Sequence, residues 1–361
     1  MTAQELARTA LQLVEQGCDL AWVSVVESRG STPRHPGAQM LVAADGRAHG
    51  TIGGGPLEAS AIQQAFDVLR CKHSRVVEFD LSNREAGESG MICGGRVSLL
   101  IEYVAAGSPA SLKLLRALVN LVSERRKGWL VTMLPPADEP VADQEGKEVK
   151  MVGRCLVDDQ GQVYGEPVAP PYALQELVRK GGSTDQLLAQ GSGRLYLQPV
   201  GPREVLYIFG AGHCGQSLAT VADLVGFATV VVDDRKEFAS PERFPRAERL
   251  VIPESFDQAL ADLPIDEESY LVIMTRGHVH DKTVLAQALR TPAAYIGMIG
   301  SKKKVAQTFR ELEQEGTPAE ALARVHAPIG LDIGSETPEE IAVSIVAELI
   351  QERARRREAR T

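Results

Sequence analysis

The tightest constraint in this chain is a glycine pattern set between a strand and a helix. Val205-Leu206-Tyr207-Ile208-Phe209 is a short apolar run of strand formers, and it enters Gly210-Ala211-Gly212-His213-Cys214-Gly215. Residues 216–225 then carry apolar side chains at helical spacing. Strand, glycine turn and helix start in that order make a phosphate cradle. The first glycine permits the turn, the second lets a pyrophosphate approach the backbone, and the third allows close helix–strand packing. A second strand at 228–232 ends in Asp233-Asp234, about 20 residues on, where an acidic side chain reads ribose hydroxyls. The alternative is that the glycines only pack helix on strand.

The βα rhythm continues with strands at 249–252, 270–274 and 294–299 and a short helix at 255–263. This predicts a Rossmann-like, doubly wound parallel sheet, whose ligands bind at the carboxyl ends of the strands. Two more segments should face that crevice. His278, His280 and Asp281 offer a weak metal-ligand set, and Gly300-Ser301-Lys302-Lys303-Lys304 opens a helix with either an anion site or a solvated lysine cluster. Thr337-Pro338-Glu339-Glu340 reads as a capping box for the last helix, 341–355, with no chemistry attached.

The preceding half reads as an α+β domain over 1–200, leaving 201–361 to the nucleotide-binding domain. Helices are expected at 2–16, 57–70 and 110–126, and strands at 21–26, 75–80, 96–103 and 129–134. Hairpins are expected around Asp45-Gly46 and at 154–164, with an irregular stretch from Arg29 to Gly37, a polar loop at 82–90 and an acidic, proline-containing loop at 135–147. Residues 181–193 read as connecting sequence, and no internal repeat is visible. Gly53-Gly54-Gly55-Pro56-Leu57-Glu58 again runs strand, glycine turn, helix start, so it too suits an anion. Ser31, Thr32 and Arg34 could add hydroxyl and guanidinium donors. Cys93 precedes two glycines, which would leave its sulfur open to a ligand. Here the alternative is glycines needed only for turns.

Composition excludes several classes. A net charge of −9 argues against a nucleic-acid surface. Acidic residues Glu5 and Glu15 and the lack of a long apolar run argue against a secretion signal or membrane span, so a cytoplasmic setting is expected. Five scattered cysteines without a CxxC pair fit reduced thiols.

Taken together, the ordered motifs resemble the XdhC/CoxI family of xanthine dehydrogenase accessory proteins. They are Gly30-Ser31-Thr32-Pro33-Arg34, Pro36-Gly37-Ala38-Gln39-Met40, Gly50 through Glu58, Cys93-Gly94-Gly95, Phe209 through His213, Val232-Asp233-Asp234-Arg235, Gly297 through Lys302, and Gly330 through Glu340. The resemblance implies a chaperone that binds the molybdenum cofactor, in mononucleotide or dinucleotide form, and protects it during sulfuration. It then supports insertion into a molybdenum hydroxylase apoenzyme. The implied partners are that hydroxylase, a cysteine desulfurase and a second copy in a homodimer. The implied N-terminal cofactor residues are Ser31, Arg34, Gly53, Gly54, Gly55, Glu58 and Cys93; the Rossmann ones are Gly210, Gly212, His213, Gly215, Asp233, Asp234, Arg235 and Ser301. Several relatives carry a cysteine at the place of Pro56, and some a cysteine pair where Ile92 precedes Cys93, so any thiolate–molybdenum contact would fall to Cys93 alone. The competing reading is an NAD(P)-dependent oxidoreductase with His213 or His278 as proton donor. No convincing catalytic base supports it.

Overall fold

The computed structural model describes residues 1, 3–32, 34, 36–81, 95–134, 153–180, 185–190 and 193–359. Cys93, the polar loop at 82–90 and the acidic segment at 135–147 lie outside the described residues. The chain divides into two compact units, Met1–Pro202 and Arg203–Ala359, each with its own core.

The first unit contains the same arrangement twice. Its first copy runs α1 (Ala3–Glu15), β1 (Leu20–Arg29), β2 (Gln39–Ala43), β3 (Ala48–Gly50), α2 (Gly55–Cys71), β4 (Arg75–Asp80) and β5 (Arg96–Val104). Its second runs α3 (Pro109–Ser123), β6 (Gly128–Leu134), β7 (Arg154–Asp158), β8 (Val163–Gly165), α4 (Pro171–Lys180), β9 (Gln186–Gln190) and β10 (Gly193–Val200). The sheets have strand orders β3-β2-β1-β5-β4 and β8-β7-β6-β10-β9, which is one order repeated.

Register makes the correspondence residue by residue. Val23 faces Met40 and Ile101, as Val131 faces Cys155 and Leu197. Gly50 and Gly165 both have positive φ, 83° and 90°. A Cβ on Gly50 would meet the Gln39 carbonyl and Leu6, and one on Gly165 the Arg154 carbonyl and Leu114. The expectation of no internal repeat is therefore corrected. A few corresponding positions keep the same residue (Val23 with Val131, Gly50 with Gly165), but others keep only burial (Met40 with Cys155) or differ outright (Gln39 with Arg154), so aligned letters do not reveal the repeat.

The copies pack about a pseudo-twofold axis. Each sheet has one face on its own helix: Ala21, Val23, Met40 and Val42 with Leu57 and Ala61 of α2, and Val131, Cys155 and Leu197 with Leu174 and Val178 of α4. The other faces share cores made of corresponding residues, including Val26 with Leu134 and Leu100 with Tyr196. Leu6, Leu13, Leu41, Leu121 and Leu156 close one edge under α1 and α3. Burying each such side chain contributes roughly 1.5–3 kcal/mol, so the two copies stabilise one another.

Within the expected connecting sequence at 181–193 the structure places strand β9 at Gln186–Gln190, and β10 begins at Gly193; helix α4 and the rest of β10 are not among the expected elements either. These elements are short, and their half-buried faces carry a weak periodic signal.

The second unit is a parallel six-stranded sheet, order β13-β12-β11-β14-β15-β16, built from β11 (Val205–Phe209), β12 (Ala228–Val232), β13 (Arg249–Val251), β14 (Ser269–Ile273), β15 (Tyr295–Met298) and β16 (Val325–His326). Alternate β11 residues supply two cores. Tyr207 and Phe209 join Val284, Leu285 and Val305 on one face, while Leu206 and Ile208 join Leu218, Ile345 and Leu349 on the other. The first face is covered by α6 (His278–Ala288) and α7 (Lys302–Gln314), the second by α5 (His213–Leu224) and α9 (Pro338–Ala359), with α8 (Ala319–Leu322) between α7 and β16 in sequence. Burial on both faces explains the unbroken apolar strands. The expected helix at 255–263 is only a 3₁₀ turn, Phe256–Gln258. Pro264 disfavours helical geometry at Leu263, and Phe256, Leu260 and Leu263 reach the core without it. Among the described residues no helix is long and apolar enough to cross a membrane.

Candidate functional site

In the first unit, antiparallel pairing brings three motifs to one end of one sheet. Strand β1 ends where β2 begins, β3 ends where β2 begins, and β5 begins where β1 and β4 end. The segment with Gly30, Ser31 and Arg34, the turn Gly53-Gly54-Gly55, and the connection whose described ends are Leu81 and Gly95 therefore all leave the same edge. Ser31 and Arg34 are exposed there. Gly95 passes close beneath Ser31, since a Cβ on it would lie 2.6 Å from the Ser31 carbonyl oxygen.

The glycine turn is held by Glu58. Its Oε2 accepts from Thr51 Oγ1 at 2.5 Å, Ile52 N at 3.1 Å and Gly54 N at 3.0 Å. Gly53 N donates to Thr51 Oγ1 at 3.1 Å. Burial works against the charge on Glu58, but these donors outweigh it and keep its pKa below the ordinary glutamate value. The amides expected to cradle a ligand anion thus already hold the chain's own carboxylate, and Glu58 shapes the turn. Gly53, Gly54 and Gly55 have φ of 128°, 74° and 63°, a succession only glycine adopts easily. A Cβ on Gly54 or Gly55 would meet nothing within 4 Å. At Gly54 and Gly55 the turn thus offers bare backbone, with no side chain close by among the described residues. In the second copy the corresponding junction between β8 and α4 reads Glu166-Pro167-Val168-Ala169-Pro170 and contains no glycine.

In the second unit the three glycines take three separate jobs. Gly210 has φ 126°, and a Cβ there would lie 2.2 Å from the Met274 carbonyl oxygen. A Cβ on Gly215 would lie 2.1 Å from the Gly210 carbonyl oxygen. Gly212 caps α5 with φ −68° and would meet nothing, so the open approach is at this residue. His213 is exposed at the first helical position.

Asp233 is buried and fully engaged. It accepts from Ala211 N at 2.8 Å and from Arg235 Nε and Nη2 at 2.9 and 3.0 Å. Burial raises its pKa, but Arg235 and the Ala211 amide bring it below the usual aspartate value. It ties the glycine turn to the next loop and is not free for a ribose. Arg235 lies over the Phe238 ring at 3.8 Å, and Arg243 donates to the Ala211 carbonyl at 3.0 Å. Asp234 pairs with Arg276 at 2.8 Å. Because β12 and β14 flank β11, this ion pair spans the end of β11, across the glycine turn.

The lysine-rich turn at Ser301 is also largely occupied. Ser301 Oγ accepts from Lys304 N at 3.3 Å, capping α7. Lys304 Nζ reaches Asp281 at 2.6 Å. Asp281 is fully buried and also accepts from Thr275 N and Oγ1 at 2.9 and 2.7 Å. His280 packs against Phe256 with ring centroids 5.2 Å apart. Among the described residues no group of three His, Cys, Asp or Glu converges as a metal would require. Sequence reasoning missed Arg276, Arg243 and Thr51. Arginine and threonine in loops are common, and only the partners each meets in space single these out.

The family profile described as the XdhC Rossmann domain covers residues 206–349, and that of the XdhC and CoxI family covers 13–80. Uncharacterized protein YqeB of Escherichia coli K12 is 30% identical over 342 residues, covering 95% of this chain and 45% of that protein. The chain thus spans about half of YqeB. A protein of Bacillus subtilis described as a probable xanthine dehydrogenase subunit is 27% identical, covering 95% of this chain and 96% of that protein. Molybdenum cofactor insertion chaperone PaoD of Escherichia coli K12 is 22% identical over 98% of this chain and 89% of its own length. The crystal structure of a xanthine dehydrogenase from Bacillus halodurans superposes with a TM-score of 0.81 at 27% identity, over 100% of this chain and 98% of the other.

Proposed function

Because the chain belongs to the XdhC and CoxI family, we propose that it is an accessory protein for a xanthine dehydrogenase-type molybdenum hydroxylase. In this reading it binds the molybdenum cofactor, shields it while a cysteine desulfurase supplies sulfur, and supports its insertion into the apoenzyme. The likeness to PaoD and to the Bacillus subtilis protein supports the accessory role. The observation that carries the reading is the gathering at one sheet end of the Ser31–Arg34 motif, the Gly53-Gly54-Gly55 turn and the described ends, Leu81 and Gly95, of the connection to which Cys93 belongs, whereas the second copy's β8–α4 junction has no glycine.

The residues fit such a cargo in a specific way. A flat, fused ring system can lie against the bare backbone at Gly54 and Gly55, where no side chain intervenes. The exposed Arg34 and Ser31 supply donors for a phosphate, and Cys93 belongs to the connection between β4 and β5, whose described ends reach the same edge. The cofactor's own redox chemistry is expressed only in the recipient hydroxylase; this chain contributes binding and shelter. A nucleotide moiety would use the opening at Gly212, with the amides at the start of α5 facing its phosphates. A ribose hydroxyl would need Asp234 released from Arg276, which would then be free to meet a phosphate.

The test is to purify the full chain from cells that make the cofactor and measure bound molybdenum and pterin by mass. Stoichiometric pterin, reduced in Arg34→Ala and Cys93→Ala, is expected. Absence of pterin, or retention unchanged in both variants, overturns the reading. The opening at Gly212 also favours an NAD(P)-dependent oxidoreductase. Saturable NADH or NADPH binding with substrate-dependent oxidation would establish that reading instead. A homodimer is expected in sedimentation.

A further inference from the structure

The pseudo-twofold axis sets polar contact against polar contact between the two copies. Gln39 donates to Gln198 at 2.9 Å, and at the corresponding positions Arg154 pairs with Glu102. At the edge that carries the motifs the counterparts differ in kind. Three polar residues of the second copy reach the first copy there: Asp185, just before β9, and Arg194 and Tyr196 of β10. By register their counterparts are Ser74, Ser98 and Leu100, which are shorter or apolar. Ser74 Oγ accepts from Tyr103 N inside its own copy.

These three residues hold both limbs of the segment between β1 and β2. On the outgoing limb Arg194 pairs with Glu27 at 3.6 Å, and Glu27 accepts from Arg29 Nε at 2.8 Å. On the returning limb the Asp185 carboxylate lies against Gly37. A Cβ on Gly37, whose φ is 93°, would stand 2.1 Å from Asp185 Oδ2. Tyr196 donates to the same oxygen at 2.9 Å. Its hydroxyl also lies 3.5 Å from the Val25 carbonyl oxygen, which accepts from Gly37 N at 3.0 Å. Tyr196 is 1% exposed. Packing does not call for a phenol, because Leu100 fills the corresponding place in the same core. A buried hydroxyl has to find a partner, and this one finds it at the base of the segment that presents Ser31 and Arg34.

We propose that the second copy braces the first copy's cofactor segment, with Asp185 and Tyr196 as positioning residues that fix the Gly37 limb and keep Ser31 and Arg34 ready for the cargo. A segment held at both limbs has less freedom to lose when a ligand orders it, so the brace raises affinity without touching the ligand. What the segment holds rests on the cofactor reading; the brace itself does not.

Tyr196→Phe keeps the ring and removes the hydroxyl, and Asp185→Ala removes its partner. In the full chain without ligand, amide hydrogen exchange at Val25 and Gly37 is expected to quicken about fivefold in both variants, the loss of one hydrogen bond, while α2 and β6 exchange at the parent rate. Purified from cells that make the cofactor, both variants are expected to release pterin about fivefold faster than the parent. Tyr196→Phe added to Arg34→Ala is expected to cause no further loss, since the brace acts through the segment; a general weakening of the fold would add in both backgrounds. Unchanged exchange at Gly37 in Tyr196→Phe overturns the brace, and that variant decides alone should Asp185→Ala not fold. Release at the parent rate, or a further loss on top of Arg34→Ala, overturns the positioning role. A parent without pterin refutes the cofactor reading, and with it the positioning role, while the exchange rates still decide the brace.

Discussion

Gly212→Ala and Gly215→Ala separate the folding role of the second unit's glycine turn from its ligand role. A Cβ on Gly215 would sit 2.1 Å from the Gly210 carbonyl oxygen and 3.5 Å from Ile208 Cγ2. Ordinary contact between such atoms is about 3.5 Å, and the carbonyl belongs to backbone locked between strand and helix. Overpacking of this kind costs up to about 3 kcal/mol, and alanine in place of glycine returns about 1 kcal/mol of helix propensity. The net loss is about 2 kcal/mol, which lowers the melting temperature of a unit this size by about 4–8 °C. Gly212 has φ −68° and no atom within 4 Å of a built Cβ, so its alanine variant changes stability by less than about 1 kcal/mol. In the proposed nucleotide reading that Cβ would stand where a phosphate approaches the backbone, so ADP binding is expected to fall more than tenfold. Calorimetry of both variants with an ADP titration reads the two effects separately. If Gly215→Ala melts with the parent, or Gly212→Ala keeps its ADP affinity, the division of labour among these glycines is wrong.

Other outcomes follow from the same contacts. Arg154→Gln alone leaves Glu102 buried without its partner and is expected to lose about 3–5 kcal/mol; adding Glu102→Gln should recover most of it, as denaturant titrations of the cycle would reveal. Asp281→Asn removes the charge that holds Lys304 and weakens the Thr275 turn, so a loss of about 3 kcal/mol in urea unfolding is expected. Glu58 has a folded pKa below its unfolded value, so its contribution is present above the unfolded pKa, about 4.3, and disappears as pH falls through the folded pKa. Glu58→Gln should therefore be less stable than the parent at neutral pH and converge with it on acidification. A constant gap from pH 7 to 3 in melting temperature would contradict the carboxylate role.

The Rossmann-like half was largely legible because its signals are local. Gly210 and Gly215 each meet a steric demand set within a few residues or by the adjoining strand, and Gly212 leaves the helix start open. The strands are apolar throughout because both faces are buried. What escaped was partnership at a distance. Asp233 and Asp234 stand where ribose ligands stand in such folds, yet one is closed by Arg235 and the Ala211 amide, and the other reaches Arg276, 42 residues away. Lys304 similarly reaches Asp281 across two helices. No spacing rule predicts these pairings.

The N-terminal half shows the same boundary more sharply. Its chain order alone determined the strand–turn–helix units, the turns that demand glycine, and the motifs that mark the family. Those depend on φ angles, on local sterics and on residue types a few positions apart. Only the folded state decided that the motifs leave one edge, that Glu58 fills its own glycine turn, and that the half is one arrangement built twice. Duplication survives as packing shape, which many residue combinations satisfy. The placement of Arg154 against Glu102, where the other copy has two glutamines, depends on strands brought face to face from distant parts of the chain.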